Sequence, residues 1–358
     1  MMEPLDYIIV GGGAVGTSAL FHLTRDGGGS ALLLEKLGGY GRGATGIWGS
    51  LVRMFYNNLD TTLAATQSVP FYLDFEREVG VPFEWTRTGS LYFLKRDALG
   101  GYAAHLAALE ASGLSFEVIA AKDGKTRFPD FAWFEDDVAI YEPSAGIASP
   151  RATTEAFLAA AARQGAEARL DAEVVEIVWQ GARASGVRTR DGAFHACKTL
   201  VICAGIWTNE VLASTPARVA AYPVPIQLNR FYRHQRPLAH PYFIDLAGGT
   251  FGHPTPAGSF IGGYQGRAPE SDEVGLGHPS PEAANLAKHE IARRIPWVKS
   301  ATLEGGIQAL ESYTDASFGL VEQLTGFENV VVSTGWSCAG FTLAPVIGAR
   351  IAALARGL

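Results

Sequence analysis

Residues 6–35 read DYIIVGGGAVGTSALFHLTRDGGGSALLLE, and this pattern predicts how the chain begins to fold. An apolar run rich in β-branched residues ends at three glycines, a helical pattern follows, and a second apolar run ends at Glu35. Gly11, Gly13 and Gly16 give the spacing G-x-G-x-x-G, and the acid lies 19 residues beyond the last of them. This order of strand, glycine turn, helix, strand and acid is typical of a dinucleotide-binding unit.

Each glycine of this motif has a different expected role. Gly11 permits a tight turn out of the first strand, Gly13 lets a pyrophosphate approach the backbone, and Gly16 lets the helix pack close to the sheet. The helix N-terminus would present N–H groups and a partial positive charge to the phosphates, while Glu35 would bind a ribose. The motif does not separate FAD from NAD, and an ordinary glycine-rich turn is the alternative.

Composition indicates a globular protein. The chain has 358 residues, of which 47% are hydrophobic and 18% charged, and this length favours two domains. Its net charge of −7, without a cluster of Lys or Arg, argues against a nucleic-acid partner. We see no signal peptide and no apolar stretch long enough to span a membrane, so we expect a cytoplasmic location.

The cysteines predict neither disulfides nor a metal site. Cys197, Cys203 and Cys338 form no C-x-x-C pair, and no cluster of histidines accompanies them. Structural disulfides and a zinc site are therefore both unexpected.

A loop of small residues, 38–53, follows the second predicted strand. It carries hydroxyls at Thr45 and Ser50 and cations at Arg42 and Arg53. Because ligands bind at this edge of open α/β sheets, we expect the loop to wrap a cofactor. A flexible surface loop is the alternative.

Arg53 lies in the apolar run LVRMF, residues 51–55, and the nearest acid in the sequence is Asp60. A guanidinium in apolar surroundings needs an anionic partner. That partner could be a carboxylate of the protein or the carboxylate of a substrate.

Two later apolar strands end in small residues as the first one does. Residues 199–203 precede Ala204 and Gly205, and residues 329–334 precede a glycine-rich loop and a helix that begins at Phe341. Residues 223–296 instead alternate apolar and polar side chains and are rich in aromatics. This second pattern predicts an antiparallel sheet that forms a wall over a cofactor.

Four stretches resemble the FAD-dependent amine and amino-acid oxidoreductases of the D-amino-acid oxidase superfamily, especially the members similar to monomeric sarcosine oxidase and glycine oxidase. They are residues 8–35, residues 141–143 with the helix from Pro150, residues 201–207, and residues 335–348. The last stretch, GWSCAGFTLAPVIG, is the most specific. The resemblance covers nearly the whole chain and is weakest across residues 95–135 and 235–300.

The resemblance implies an α/β fold in which a Rossmann-like FAD-binding domain of the glutathione-reductase type is interleaved with an antiparallel-sheet substrate domain. The FAD-binding domain would comprise residues 1–82, 142–217 and 306–358. The substrate domain would comprise residues 83–141 and 218–305.

The resemblance also implies the residues that contact FAD. Val174 would meet the adenine through its backbone, and the helix at Phe341 would face the flavin pyrimidine, where its N-terminus stabilises negative charge. The expected cofactor-binding residues are Gly11, Gly13, Ala14, Val15, Gly16, Glu35, Lys36, Arg42, Gly43, Ala44, Thr45, Ser50, Leu51, Val174, Ala204, Gly205, Trp207, Gln308, Gly335, Ser337, Cys338, Ala339, Gly340, Phe341 and Thr342.

Several positions depart from the family. Gln308 stands where sarcosine oxidase has the cysteine that joins the flavin, so we expect non-covalent FAD. Ile261 replaces a lysine that promotes reaction with oxygen, which leaves the electron acceptor open. Gln265 replaces a histidine beside the substrate, and Thr342 replaces a lysine that helps to hold the substrate carboxylate.

The implied chemistry is oxidation of a C–N bond, in which a hydride passes to flavin N5 and an imine forms. No dedicated base is needed if the amine binds unprotonated. Arg53, retained from the family, would anchor a carboxylate. Tyr264, Gln265, Trp336 and Thr342 would shape the pocket, although each could instead contact flavin or pack in the core.

Two other functions stay open at this point. One is oxidation of a 2-hydroxy acid by the same cofactor. The other is a flavoprotein of a larger pathway that acts on a protein-bound substrate or with a protein partner.

Overall fold

Strands from distant parts of the sequence form two large sheets in this structure, a computed structural model that describes residues 3–47, 51–83, 85–233, 240–255, 258–265, 279–316 and 318–357. The strands are β1 (Leu5–Val10), β2 (Ala31–Leu34), β3 (Leu51–Val52), β4 (Trp85–Thr86), β5 (Ser90–Lys95), β6 (Glu117–Ala120), β7 (Asp137–Glu142), β8 (Gly146–Ala148), β9 (Glu167–Arg169), β10 (Val174–Gln180), β11 (Arg183–Thr189), β12 (Phe194–Ile202), β13 (Tyr222–Tyr232), β14 (Tyr242–Asp245), β15 (Thr250–Pro254), β16 (Ser259–Tyr264), β17 (Thr302–Tyr313), β18 (Leu320–Gln323) and β19 (Val330–Thr334).

Helices cover and connect these sheets. The α-helices are α1 (Ala14–Thr24), α2 (Ala44–Ile47), α3 (Leu59–Leu73), α4 (Phe75–Val79), α5 (Ala103–Ala111), α6 (Ala121–Arg127), α7 (Pro150–Arg163), α8 (Thr208–Val211), α9 (Pro281–Arg294) and α10 (Gly340–Arg356). Short 3₁₀ helices lie at Arg25–Gly27, Arg96–Tyr102, Gly205–Trp207, Leu212–Ser214 and Pro296–Ser300.

The first sheet is parallel at its centre, in the order β9-β2-β1-β12-β19, and β18 adds an antiparallel strand beside β19. In β1, between β2 and β12, Ile8 and Ile9 are fully buried. A continuous β-branched run suits this position because both faces of a parallel sheet are covered.

The two faces of the first sheet pack against different layers. Ile9 and Leu33 share a core cluster with residues of α1 and α10. Ile8 and Leu32 point to the other face and pack with Val187 of the antiparallel meander β10-β11-β12. This three-layer arrangement brings the carboxyl ends of β1, β2, β12 and β19 together at one edge.

The second sheet has the order β17-β13-β16-β15-β14-β5-β7-β6. Its neighbouring strands are antiparallel except for β14 and β5, which are parallel. Helix α9 packs on this sheet through Ile291, which lies in a cluster with Phe231 and Phe260. The predicted α/β fold, a Rossmann-like domain interleaved with a domain built on a largely antiparallel sheet, is confirmed.

Strand β17 is continuous and pairs with β13 along its whole length, from Thr302 to Tyr313. The proposed domain boundary at 305/306 falls inside this strand. Because β17 belongs to the second sheet and ends beside β19 of the first, it carries side chains of one sheet to the edge of the other.

Candidate active site

A cavity lies where the carboxyl ends of β1, β2, β12 and β19 face the second sheet. Crevices at the carboxyl ends of parallel strands are the usual ligand sites of such sheets. From the first sheet, its connecting segments and β3, the wall includes Gly11, Gly13, Ala14, Val15, Glu35, Lys36, Gly43, Ala44, Thr45, Leu51, Val174, Ala204, Gly205, Trp207, Gly335, Trp336, Ser337, Cys338, Gly340 and Phe341. From the second sheet and its loops it includes Tyr92, Ile244, Leu246, Phe251, Gln265, Leu310, Glu311, Ser312 and Tyr313.

The glycine turn between β1 and α1 forms one end of this cavity. Gly11 has a φ of 108°, and a Cβ there would lie 2.4 Å from the carbonyl oxygen of Cys203. A Cβ on Gly16 would lie 1.9 Å from the carbonyl oxygen of Gly11, so Gly16 serves the packing of α1 and is not part of the wall. Gly13 caps α1 without a side chain and does face the cavity.

Glu35 lies at the end of β2 with its carboxylate turned toward this turn. Its Oε2 accepts a hydrogen bond from Gly12 N at 2.6 Å, and its Oε1 accepts one from Leu37 N at 2.7 Å. Each carboxylate oxygen has a second lone pair, so ribose hydroxyls can still donate to it. Nearby, Lys36 Nζ lies 3.8 Å from the centre of the Trp207 ring, and both residues line the wall.

The loop before α10 forms another part of the wall and has strained backbone. Ser337 and Cys338 have φ values of 43° and 67°, a left-handed conformation that non-glycine residues rarely adopt. The loop is held by Ser337 N, which donates to Ser312 O at 3.1 Å, and by Trp336 Nε1, which donates to Ser333 Oγ at 3.0 Å. These contacts hold the loop so that the N-terminus of α10 lies at the cavity.

Arg53 follows β3 directly and is only 8% exposed. Its guanidinium lies 3.9 Å from the ring centre of Tyr56 and 5.3 Å from that of Tyr92. Nε and Nη1 are buried and have no hydrogen-bond partner in the described part of the chain. Arg53 also lines the cavity, so a ligand bound there would meet the positive charge of this side chain.

The structure adds an acid that the sequence did not place near Arg53. Glu142, at the end of β7, is 2% exposed and accepts hydrogen bonds from Met54 N at 2.7 Å and Phe55 N at 2.9 Å. Burial raises the pKa of Glu142, although these hydrogen bonds and Arg53 oppose the rise. Burial by itself would lower the pKa of Arg53, but the surrounding tyrosines and Glu142 raise it, so the guanidinium stays charged.

Two predicted pocket residues lie behind the wall. Thr342 is 1% exposed, accepts a hydrogen bond from Tyr56 Oη at 2.7 Å and donates one to Leu51 O at 2.6 Å. It therefore orients Tyr56, which does line the cavity. Tyr264 packs beside the aromatic cluster of the second sheet, whereas its neighbour Gln265 reaches the wall.

Other predicted cofactor residues are also absent from this wall. Arg42 and Ala339 do not line it. Gln308 is buried on β17 and does not line it either; the residues of β17 that reach the wall are 310–313. Ser50 lies outside the described residues. The wall residues that sequence reasoning missed include Tyr56, Tyr92 and Glu311, whose positions depend on contacts between distant segments.

The wall residues fit FAD. The amino end of α1 begins at a glycine that lets a pyrophosphate approach, beside Thr45 Oγ1, which accepts a hydrogen bond from Ala14 N at 3.0 Å. Glu35 lies where a ribose would bind. Helix α10 also begins at the cavity without a side-chain cap, which suits the negatively polarised edge of a flavin ring.

Known proteins bear out this assignment. The family of FAD dependent oxidoreductases (DAO) matches residues 6–354, nearly the whole chain. The chain belongs to this family. It is therefore an FAD-dependent oxidoreductase, and the predicted resemblance, cofactor and enzyme class are confirmed.

Individual relatives within this family have related activities. The chain is 28% identical over 375 residues to monomeric sarcosine oxidase of Streptomyces avermitilis, and the alignment covers 99% of this chain and 94% of that protein. It is 25% identical over 358 residues to 4-methylaminobutanoate oxidase (formaldehyde-forming) of Paenarthrobacter nicotinovorans, and this alignment covers 96% of the chain and 43% of that protein. The crystal structure of L-proline dehydrogenase from P. horikoshii has the same fold, with a TM-score of 0.88 at 22% identity, covering 99% and 94%.

The part of the chain that the structure describes offers neither a metal-binding cluster nor a membrane-spanning helix. It contains no group of three or more His, Cys, Asp or Glu side chains arranged to hold a metal ion. None of its helices has the length and apolar character needed to cross a membrane.

Proposed function

We propose that this oxidoreductase oxidises the C–N bond of an amine that carries a carboxylate, such as an amino acid or an N-substituted amino acid. The observation that carries this proposal is Arg53. It is buried in the cavity wall, and Nε and Nη1 have no partner among the described residues. Burying a charged guanidinium without an anion is costly, and a substrate carboxylate bound in the cavity would offset that cost.

The surroundings of Arg53 support a fixed anchor. Tyr56 stacks on the guanidinium, and its own hydroxyl is tied to Thr342, which is tied to the backbone of β3. Glu142 binds the backbone N–H groups of the two residues that follow Arg53. Because these contacts are made within the protein, the guanidinium is oriented before a ligand arrives.

FAD bound in this cavity would supply the hydride acceptor, N5 of the flavin. The chain's own residues would bind and orient the substrate and shield it from water. Ile244, Leu246 and Phe251 give the second-sheet side of the wall an apolar lining suited to that shielding. The names of the relatives agree with the proposal, because sarcosine, 4-methylaminobutanoate and L-proline are all amines that carry a carboxylate.

The test is anaerobic addition of candidate substrates to the holoprotein while the flavin absorption band is followed. Amino acids and N-methyl amino acids should bleach the band, and the product mixture should contain ammonia or an amine. Bleaching by 2-hydroxy acids alone would overturn the C–N assignment. Bleaching by neither class of small molecule would favour a larger or protein-bound substrate.

A further inference from the structure

The second-sheet side of the cavity has an apolar row of side chains that begins beside Arg53. Tyr92 of β5, Ile244 of β14 and Phe251 of β15 are in register across three neighbouring strands, and all three line the wall. Because residues paired across neighbouring strands point to the same face of a sheet, these side chains stand next to one another. The ring centre of Tyr92 lies 5.3 Å from the guanidinium carbon of Arg53, so the row starts at the proposed carboxylate anchor.

Ile244, in the middle of this row, has apolar surface that the protein does not cover. It is half-buried although β5 and β15 flank its strand. The ring of Phe251 leans the other way, over Gly263 of β16, where an added Cβ would lie 2.5 Å from Phe251 Cζ. The uncovered surface of Ile244 is therefore turned to the cavity, at one strand's distance from the Tyr92 ring.

The charged side chains of the described wall lie away from Ile244. Its cations are Arg53 and Lys36, and Lys36 lies beyond the end of β2, on the side of the glycine turn. The polar wall residues of the second sheet include Gln265, which follows the end of β16, and residues 311–313 of β17, the fourth strand from β14. A ligand group in front of Ile244 would thus meet apolar surface and no second cation from the described residues.

We propose that Ile244 is a specificity-determining residue that contacts an apolar substituent of the substrate, such as an alkyl side chain, an N-alkyl group or a ring. This inference rests on the proposed function and narrows its substrate class to monocarboxylic amino acids whose substituent is apolar. Such a substituent would cover Ile244 and gain the free energy of removing apolar surface from water. A hydroxyl or a second carboxylate in the same place would lose its hydration against apolar side chains.

The test uses carboxylates without an amine, so that binding is measured independently of C–N oxidation. Butanoate is compared with 3-hydroxypropanoate and succinate, in which a hydroxyl or a carboxylate replaces its methyl group. Affinities are measured at neutral pH from the perturbation of the oxidised flavin spectrum in the holoprotein. The wild type should bind butanoate about tenfold to a hundredfold more tightly than either analogue, the range in which an apolar pocket rejects a polar isostere.

Ile244→Thr keeps a β-branched side chain on β14 and adds a hydroxyl to the row. It should lower the preference for butanoate by about threefold or more, while the affinity for acetate, which has no such substituent, stays unchanged. Unchanged acetate binding separates contact with the substituent from damage to the Arg53 site. The matched control is Ile307→Thr, at an exposed position of β17, which should keep the full preference.

If Ile244→Thr fails to hold FAD, Ile244→Val decides instead. With one buried methylene fewer, it should bind butanoate about fourfold more weakly and acetate as the wild type does. Equal affinities of the wild type for the three probes, a preference for a polar one, or binding of none of them overturns the proposal. So does a preference that is unchanged in Ile244→Thr or, where that variant is lost, butanoate binding that is unchanged in Ile244→Val.

Reduction of the flavin by amino acids is scored separately. A preference for butanoate that depends on Ile244, without bleaching by any amino acid, would contradict the proposed function and leave the apolar subsite standing. Bleaching by amino acids in a protein that shows no such preference would support the proposed function and overturn this inference.

Discussion

Glu35 is the predicted ribose ligand. Its two carboxylate oxygens hold the backbone N–H groups of Gly12 and Leu37, so it organises the glycine turn, and it lies in the cavity wall. Glu35→Ala should weaken FAD binding by about 1–3 kcal/mol, because charge-assisted hydrogen bonds are lost. Retention of flavin after dialysis measures this. Glu176→Gln, at an exposed position of β10, is the control, and equal retention in Glu35→Ala would contradict the role.

The sequence predicted some site residues and not others for a physical reason. Arg53 stood out because a charge in an apolar run needs a partner, and Glu35 because a local motif ends at it. Glu142 could not be predicted, since it contacts Met54 across 88 positions of the chain. Glu311 could not be predicted either, since its place in the cavity wall depends on where β17 ends beside the loop before α10.

At the scale of elements, helix α1 buries a histidine that stays neutral. Burial, with help from Arg25 and Arg356, lowers the pKa of His22 from 6.5 to about 4. The unfolded chain therefore takes up a proton below pH 6.5 that the folded chain does not. The stability that His22 contributes is complete above pH 6.5 and is lost as the pH falls toward 4, by about 3 kcal/mol in all.

Urea unfolding of the wild type and of His22→Leu, between pH 7 and pH 4, measures this contribution. Both proteins lose stability through their carboxylates, but the wild type should lose up to about 3 kcal/mol more. Equal losses would show that His22 titrates in the folded protein as it does in the unfolded chain.

Helices and strands were predicted best where the pattern was local. The amphipathic pattern of residues 62–79 is typical of one helix, but the chain forms two helices there, α3 and α4, which meet at Asp74. Residues 113–137 have no clear periodic pattern, yet they contain β6, which pairs with β7, and the short helix α6. The parallel pair β14 and β5 was not predicted, because alternation gives the faces of a strand but not the direction of its neighbour.

At the scale of the whole molecule, the cavity exists because two interleaved sheets meet, and this bears on how FAD is held. The cysteines that line it, Cys203 and Cys338, are protonated: burial raises the pKa of Cys203 to about 12 and that of Cys338 well above its usual value. A thiol is a poor nucleophile compared with a thiolate, so neither is suited to join the flavin. Acid precipitation of the holoprotein should release all of the FAD into the supernatant. Yellow colour in the washed pellet would contradict this expectation.

The central claim is that Arg53 anchors the carboxylate of an amine whose C–N bond is oxidised. Its most direct test is anaerobic flavin reduction in Arg53→Ala and Arg53→Lys, by an amino acid and by the corresponding amine without the carboxylate. Arg151→Ala, which removes an exposed guanidinium on α7, is the control.

We predict that Arg53→Ala keeps its FAD but needs roughly 30-fold or more amino acid for half-maximal reduction, which corresponds to a loss of about 2 kcal/mol or more. Arg53→Lys should recover only part of this loss, because a point charge cannot replace the bidentate fork. Reduction by the amine without a carboxylate should not change between the wild type and either variant. Normal reduction of Arg53→Ala by the amino acid, with FAD fully bound, would show that Arg53 is structural and would contradict the account.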